Sequence, residues 1–112
     1  MTISQLSTAA ELTLQTPEAN INTEVHGGIC CDLLSWVMAK GNAGMAWITV
    51  QTHMNVIAVA ALHEFSCIVL AEGCAMPQDV LAKAKEEGVA VLSSSRSAYE
   101  LCGLFYQLGI GK

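Results

Sequence analysis

The chain has 112 residues, a formal net charge of −5, 53% hydrophobic residues and 13% charged residues. That length accommodates one domain with a single sizeable core. A chain this acidic, with Arg96 as its one arginine, lacks the basic face that nucleic acid requires, so no nucleic-acid partner is expected.

Thr2-Ile3-Ser4-Gln5 has the spacing of a capping box, which predicts a short N-terminal helix over residues 3–10. Leu12-Thr13-Leu14 alternates apolar and polar residues, as a half-exposed strand does. Residues 16–23, with Pro17, Asn20 and Asn22, read as a polar connection. Glu24-Val25-His26 predicts a weak second strand, ended by Gly27-Gly28. Residues 31–39 read as a helix rich in Leu33, Leu34, Trp36, Val37 and Met38. Lys40 suits the negative end of its dipole, and Gly41 suits the residue just beyond it.

Three βα units in succession then fill residues 46–108. Their strands are Ala46 to Val50, Cys67 to Leu70 and Val89 to Leu92. Continuously apolar runs of this length suit parallel strands covered on both faces. The helix over 54–65 is apolar almost all round until His63-Glu64, so one side should pack on the sheet and the other on a second layer or a second chain. The helix over 77–87 opens on Pro77 and is amphipathic, with Val80, Leu81 and Ala84 facing inward. The last helix, 97–108, packs through Leu101, Leu104, Phe105 and Leu108. The fold class expected is α/β: one domain over 1–112, a mostly parallel sheet flanked by helices, and a short N-terminal helix.

The charged fraction is about half of the ~25% usual in soluble domains, which predicts a buried homodimer interface. The longest apolar run, Val56 to Leu62, is far short of the ~18 residues of a membrane span, so no membrane partner is expected. No secretory signal is visible, and an odd count of five cysteines predicts a reduced, cytoplasmic setting without a disulfide framework.

In open α/β sheets ligands bind beyond the carboxyl ends of the strands. This selects Gln51, Thr52 and His53 after one strand, Glu72 and Gly73 after the next, and Ser94, Ser95 and Arg96 after the third. Hydroxyls, helix-start N–H groups and the sole arginine suit a phosphate or carboxylate. Capping alone also accounts for Ser95 or Ser97, and for Thr52. His53 has the chemistry of a general base, but no Ser, Cys or Asp partner is set by spacing, so no catalytic residue is assigned. Glu72 reads equally as a ligand contact or a solvated loop charge. Trp36 and Trp47 read as core or interface anchors.

His26, Cys30 and Cys31 form the sharpest metal-like cluster, since thiolates beside an imidazole suit soft metals. Adjacent cysteines do not easily point at one ion, and free cysteines usually behave as small buried hydrophobes. No metal or other cofactor is therefore expected. A small thiol- or metal-dependent redox protein or enzyme built on that cluster is the alternative function, and a scaffold without a small ligand is a third.

The Gly27-Gly28 step, the segment Asp32-Leu33-Leu34-Ser35-Trp36-Val37-Met38 and the three βα units together resemble the DRTGG domain family over almost the whole chain. Members are small stand-alone proteins or regulatory segments of phosphotransacetylases and CBS-containing pyrophosphatases. The resemblance implies a non-catalytic, dimerising regulatory or ligand-binding module. It implies an anionic or nucleotide-type ligand, and a metabolic enzyme or hydrogenase-associated protein as partner. Two departures stand out: Thr52-His53 replaces the family's Asp-Arg, and Ala71-Glu72-Gly73 replaces its Thr-Gly-Gly, with only Gly73 matching.

Overall fold

The computed structural model describes residues 1–111. Its elements in chain order are α1 (Ile3–Ala9), β1 (Thr13–Leu14), β2 (Gly27–Cys30), α2 (Leu34–Lys40), β3 (Met45–Thr49), α3 (Met54–Leu62), β4 (Cys67–Leu70), α4 (Gln78–Glu87), β5 (Val91–Ser93) and α5 (Ala98–Gln107). The strands form one sheet in the order β1-β5-β4-β3-β2. β2, β3, β4 and β5 are parallel, with Ala46 beside Cys67 and Ile68 beside Val91, and β1 joins β5 antiparallel through Thr13 and Ser93. The chain is thus an α/β domain with a mostly parallel sheet and a short N-terminal helix.

Helices cover both faces. Ala46, Ile48, Cys67, Val69 and Leu92 pack with Ile3 and Leu6 of α1 and with Leu101 and Phe105 of α5. Trp47, Ile68, Leu70 and Val91 pack with Val37 of α2, Val56 and Ile57 of α3, and Val80 and Ala84 of α4. Period-two alternation along each strand feeds these two cores. The central strands are therefore apolar at nearly every position. Among the described residues, no helix is long and apolar enough to cross a membrane.

The N-terminal capping box is present: the Thr2 side chain accepts from the Gln5 amide, and the Gln5 side chain accepts from the Thr2 amide. Other boundaries move for identifiable reasons. The strand expected at 24–26 is not there. Glu24 makes only an isolated bridge to Thr2, and the Val25 amide donates to the Met1 carbonyl. Gly27-Gly28, expected to end a strand, instead begins β2, because β3 offers a parallel partner from Met45 onward. Tertiary pairing here overrides the weak strand preference of glycine.

α2 begins at Leu34 rather than residue 31, because the Cys31 amide still donates to Ile48 in the ladder direction. β5 begins at Val91 rather than Val89, because the Val89 amide donates to Ala84 and completes the end of α4 around left-handed Gly88. α3 ends at Leu62, and Glu64 (φ 55°) turns the chain toward β4.

Gly41 follows α2 with extended backbone (φ −70°), so it is not there for a left-handed turn. It is there for space: a Cβ at this position would overlap the ring of Phe65. The apolar girth of α3 is explained in part by its place between α2 and α4, which bury Val59 and Ala60, while Leu62 remains exposed.

Candidate functional site

Two separate cavities, the two lobes of the strand-end crevice, lie beyond the carboxyl ends of β3, β4 and β5, and the β4–α4 connection contributes residues to both. The larger, of about 530 Å³, is lined by Glu11, Thr13, Gly73, Cys74, Ser94, Ser95 and Arg96, among others. The smaller, of about 400 Å³, is lined by Gln51, Thr52, His53 and Met54 from one side and Pro77, Asp79 and Val80 from the other. Gly73, Ser94, Ser95 and Arg96 are thus brought together, and Gln51, Thr52 and His53 form a separate group.

Backbone hydrogen bonds fasten the larger lobe. The Glu72 amide donates to the Arg96 carbonyl (2.8 Å), and the Gly73 amide donates to the Ser94 carbonyl (2.9 Å). The Ser94 hydroxyl accepts from the Arg96 amide (3.0 Å). Ser97, not Ser95, caps α5 through a capping box with Glu100. Ser95 is exposed at the rim.

Arg96 is not free. Its guanidinium donates to the Ala10 carbonyl at 2.8 Å and pairs with Glu11 at 2.9 Å. Glu72 sends its carboxylate to the start of α5, where Oε2 accepts from the Ala98 amide at 3.4 Å. Both groups that would hold an anion, the arginine and the helix start, therefore already carry a carboxylate of the chain itself. Glu11 (φ 54°) and Glu72 (φ 61°) are also two of the three non-glycine residues with left-handed backbone among those described. Such conformations are unfavourable for a residue with a Cβ and cluster at functional sites.

In the smaller lobe, His53 rather than Thr52 is the N-cap of α3: its Nδ1 accepts from the Asn55 amide at 3.1 Å. A ring whose Nδ1 accepts carries its proton on Nε2, so the outward nitrogen offers a donor and not a free base. Gln51 donates through its side-chain amide to the Asp32 carbonyl (3.1 Å). The Asp32 carboxylate accepts from the Thr49 hydroxyl (2.7 Å) and the Val50 amide (2.9 Å), which joins the ends of β2 and β3.

His26, Cys30 and Cys31, the weak metal-like candidates, are not gathered at one point. Successive strand residues face opposite ways, so Cys31 packs with the α2–α3–α4 side while Cys30 lies on the α5 side. His26 precedes β2 and lies against Gly44. Among the described residues, no three His, Cys, Asp or Glu side chains are grouped to hold a metal ion.

The sequence does not mark Glu11 as a site residue, nor Asp32 as the acceptor that joins the ends of β2 and β3. Glu11 reaches the site only because β1 adds to the far edge of β5, a long-range pairing with no local signal. Asp32 had one cue, a carboxylate directly after an apolar run that opens a helix.

No protein-family model matches the sequence, and no curated protein matches it. Among solved structures, the chain is similar to the CBS and DRTGG domains of the regulatory region of Clostridium perfringens pyrophosphatase, determined in complex with its activator, diadenosine tetraphosphate. The TM-score is 0.70 at 9% sequence identity, over 95% of this chain and 46% of that one. The two share a fold, and this chain spans about half the length of that neighbour. The neighbour is a regulatory region rather than a catalytic one.

Proposed function

We propose that the chain is a DRTGG-like, non-catalytic regulatory module that binds a small anionic or nucleotide-type ligand in the larger lobe of the crevice. The observation that carries this reading is the convergence of Arg96, Ser94, Ser95 and Gly73 on one cavity beyond the strand ends, lined also by Glu11 on left-handed backbone. The nucleotide activator of the structural neighbour supports the same ligand class. The captive Nδ1 of His53 supports a role without general-base catalysis.

An incoming anion competes with Glu11 for Arg96 and with Glu72 for the start of α5. Calorimetric titration with diadenosine tetraphosphate, ATP and inorganic phosphate tests the reading. At least one should bind, and a ligand at 100 times its dissociation constant should add ~2.7 kcal/mol to stability. Arg96→Ala should weaken that ligand roughly ten- to a hundredfold, through loss of a charge-assisted bond worth ~1.5–3 kcal/mol. Glu11→Gln should tighten it by releasing the guanidinium. Binding that is absent for all three compounds, or indifferent to both substitutions, would sink the proposal.

Self-association in a cytoplasmic setting belongs to the same reading. Leu33 (62% exposed), Trp36 (55%) and Met38 (50%) are exposed on and beside α2. Patches of large apolar side chains of this kind mark interaction sites. Sedimentation at micromolar concentration should give twice 11.8 kDa, and Trp36→Glu should give the monomer. A wild-type monomer at that concentration would remove the homodimer. A metabolic enzyme or hydrogenase-associated protein is the hetero-partner class that the family likeness suggests.

A further inference from the structure

Cys30 and Cys102 meet on the α5 face of the sheet, away from the crevice. Both line a cavity of about 260 Å³ with Gly28, Ile48, Phe105 and Ile110. α5 packs against β2, and the Cys102 thiol is close enough to that of Cys30 to help raise its pKa. Cys30 is exposed and Cys102 half-exposed, so small molecules in solution can reach the pair. The remaining thiols are excluded by position. Cys31 faces the opposite side, where its Sγ lies 3.7 Å from the Leu33 carbonyl. Cys67 is fully buried, and Cys74 lines the larger lobe of the crevice.

We propose that Cys30 and Cys102 are a redox-active dithiol that closes reversibly into a disulfide joining the β2 edge to α5. This inference is independent of the ligand proposed for the crevice. The oxidant class is a small-molecule disulfide, RSSR. The Cys102 thiolate attacks one sulfur of RSSR, forms a mixed disulfide and expels RS⁻. Cys30 Sγ then attacks the Cys102 sulfur, forms the Cys30–Cys102 bond and expels the second RS⁻. The two protons lost from the protein thiols end on the two RSH products. Cys30 is exposed as a residue, but partial desolvation of its thiol, then the neighbouring Cys102 thiol, push its pKa up to about 12, which supports a division of roles. Cys30 therefore keeps its proton until the mixed disulfide has formed, and Cys102 attacks first.

The test treats the full reduced chain with oxidised glutathione under native conditions, followed by intact mass and peptide mapping. The expected product is a single chain lighter by two hydrogens, with a Cys30–Cys102 link that dithiothreitol reverses and a raised midpoint of thermal unfolding. Cys30→Ser should stop at a stable glutathione adduct on Cys102, and Cys31→Ser should still form the link. A bridge on any other pair, a bridge only between chains, or a wild-type chain left as a glutathione adduct or unmodified would overturn the proposal. The wild-type map decides this even if a variant fails to fold. It is also indifferent to whether any anion binds the crevice.

Discussion

Trp47→Ala should cost about 3–5 kcal/mol of stability, the range for removing a large aromatic from a core. Trp47 sits at the middle of β3 and has no solvent-exposed surface. Its ring meets Phe65 edge-on, with centroids 5.7 Å apart and planes at 72°. Its indole Nε1–H donates to the Cys31 carbonyl at 2.8 Å. That bond fixes where the chain leaves β2, one residue before Asp32 reaches the ends of the sheet. Alanine removes the packing and the donor together. Trp47→Phe keeps most of the apolar contact and loses only the hydrogen bond, so it should cost about 1–3 kcal/mol, as a partner left unpaired does. Urea unfolding of the three proteins checks both values. Domains hold about 5–15 kcal/mol in total, so the alanine variant should lie close to its unfolding threshold. A loss under about 1 kcal/mol for Trp47→Ala would contradict this placement of the ring.

Stability should fall steeply in alkali, and Cys67 should account for much of the fall. Its thiol is wholly enclosed in β4, and burial raises its pKa from 9.0 to about 12. Above pH 9 the unfolded chain releases this proton while the folded chain retains it. The folded state then binds more protons, so stability declines as pH rises from about 9 to about 12 and is unaffected below that window. The slope for one such group is roughly 1.4 kcal/mol per pH unit. Cys30 is shifted in the same direction and adds to the decline. Urea midpoints from about pH 8 to about pH 11 should therefore fall in the wild type and fall less steeply in Cys67→Ala. Equal slopes in the two proteins would show that Cys67 does not govern the alkaline limb.

Much of the candidate site was legible because it depends on where strands end. The apolar runs through Val50, Leu70 and Leu92 put Gln51, Glu72 and Ser94 at one end of a parallel sheet, and there they lie. The state of those residues was not legible. Arg96 reads from the sequence as available to a ligand, yet Glu11, just before β1, pairs with it across the chain. Thr52 looked like the cap of α3, yet the imidazole of His53 accepts the Asn55 amide. Cys30 and Cys31 looked like one cluster because they are adjacent, but strand alternation sends them to opposite faces.

The sequence alone determined the α/β class, the helix–strand succession from β3 to α5 and the capping box at Thr2. Each of these rests on periodicity or on contacts within a few residues, which local physics decides. Tertiary structure decided the rest. Pairing with β3 turned Gly27-Gly28 from a terminator into the start of an edge strand. The antiparallel seat of β1 on β5 brought Glu11 to Arg96, and the packing of α5 brought Cys102 to Cys30. These contacts join residues far apart in the chain. Their partners depend on strand order and on which face of the sheet each helix covers, and local pattern encodes neither.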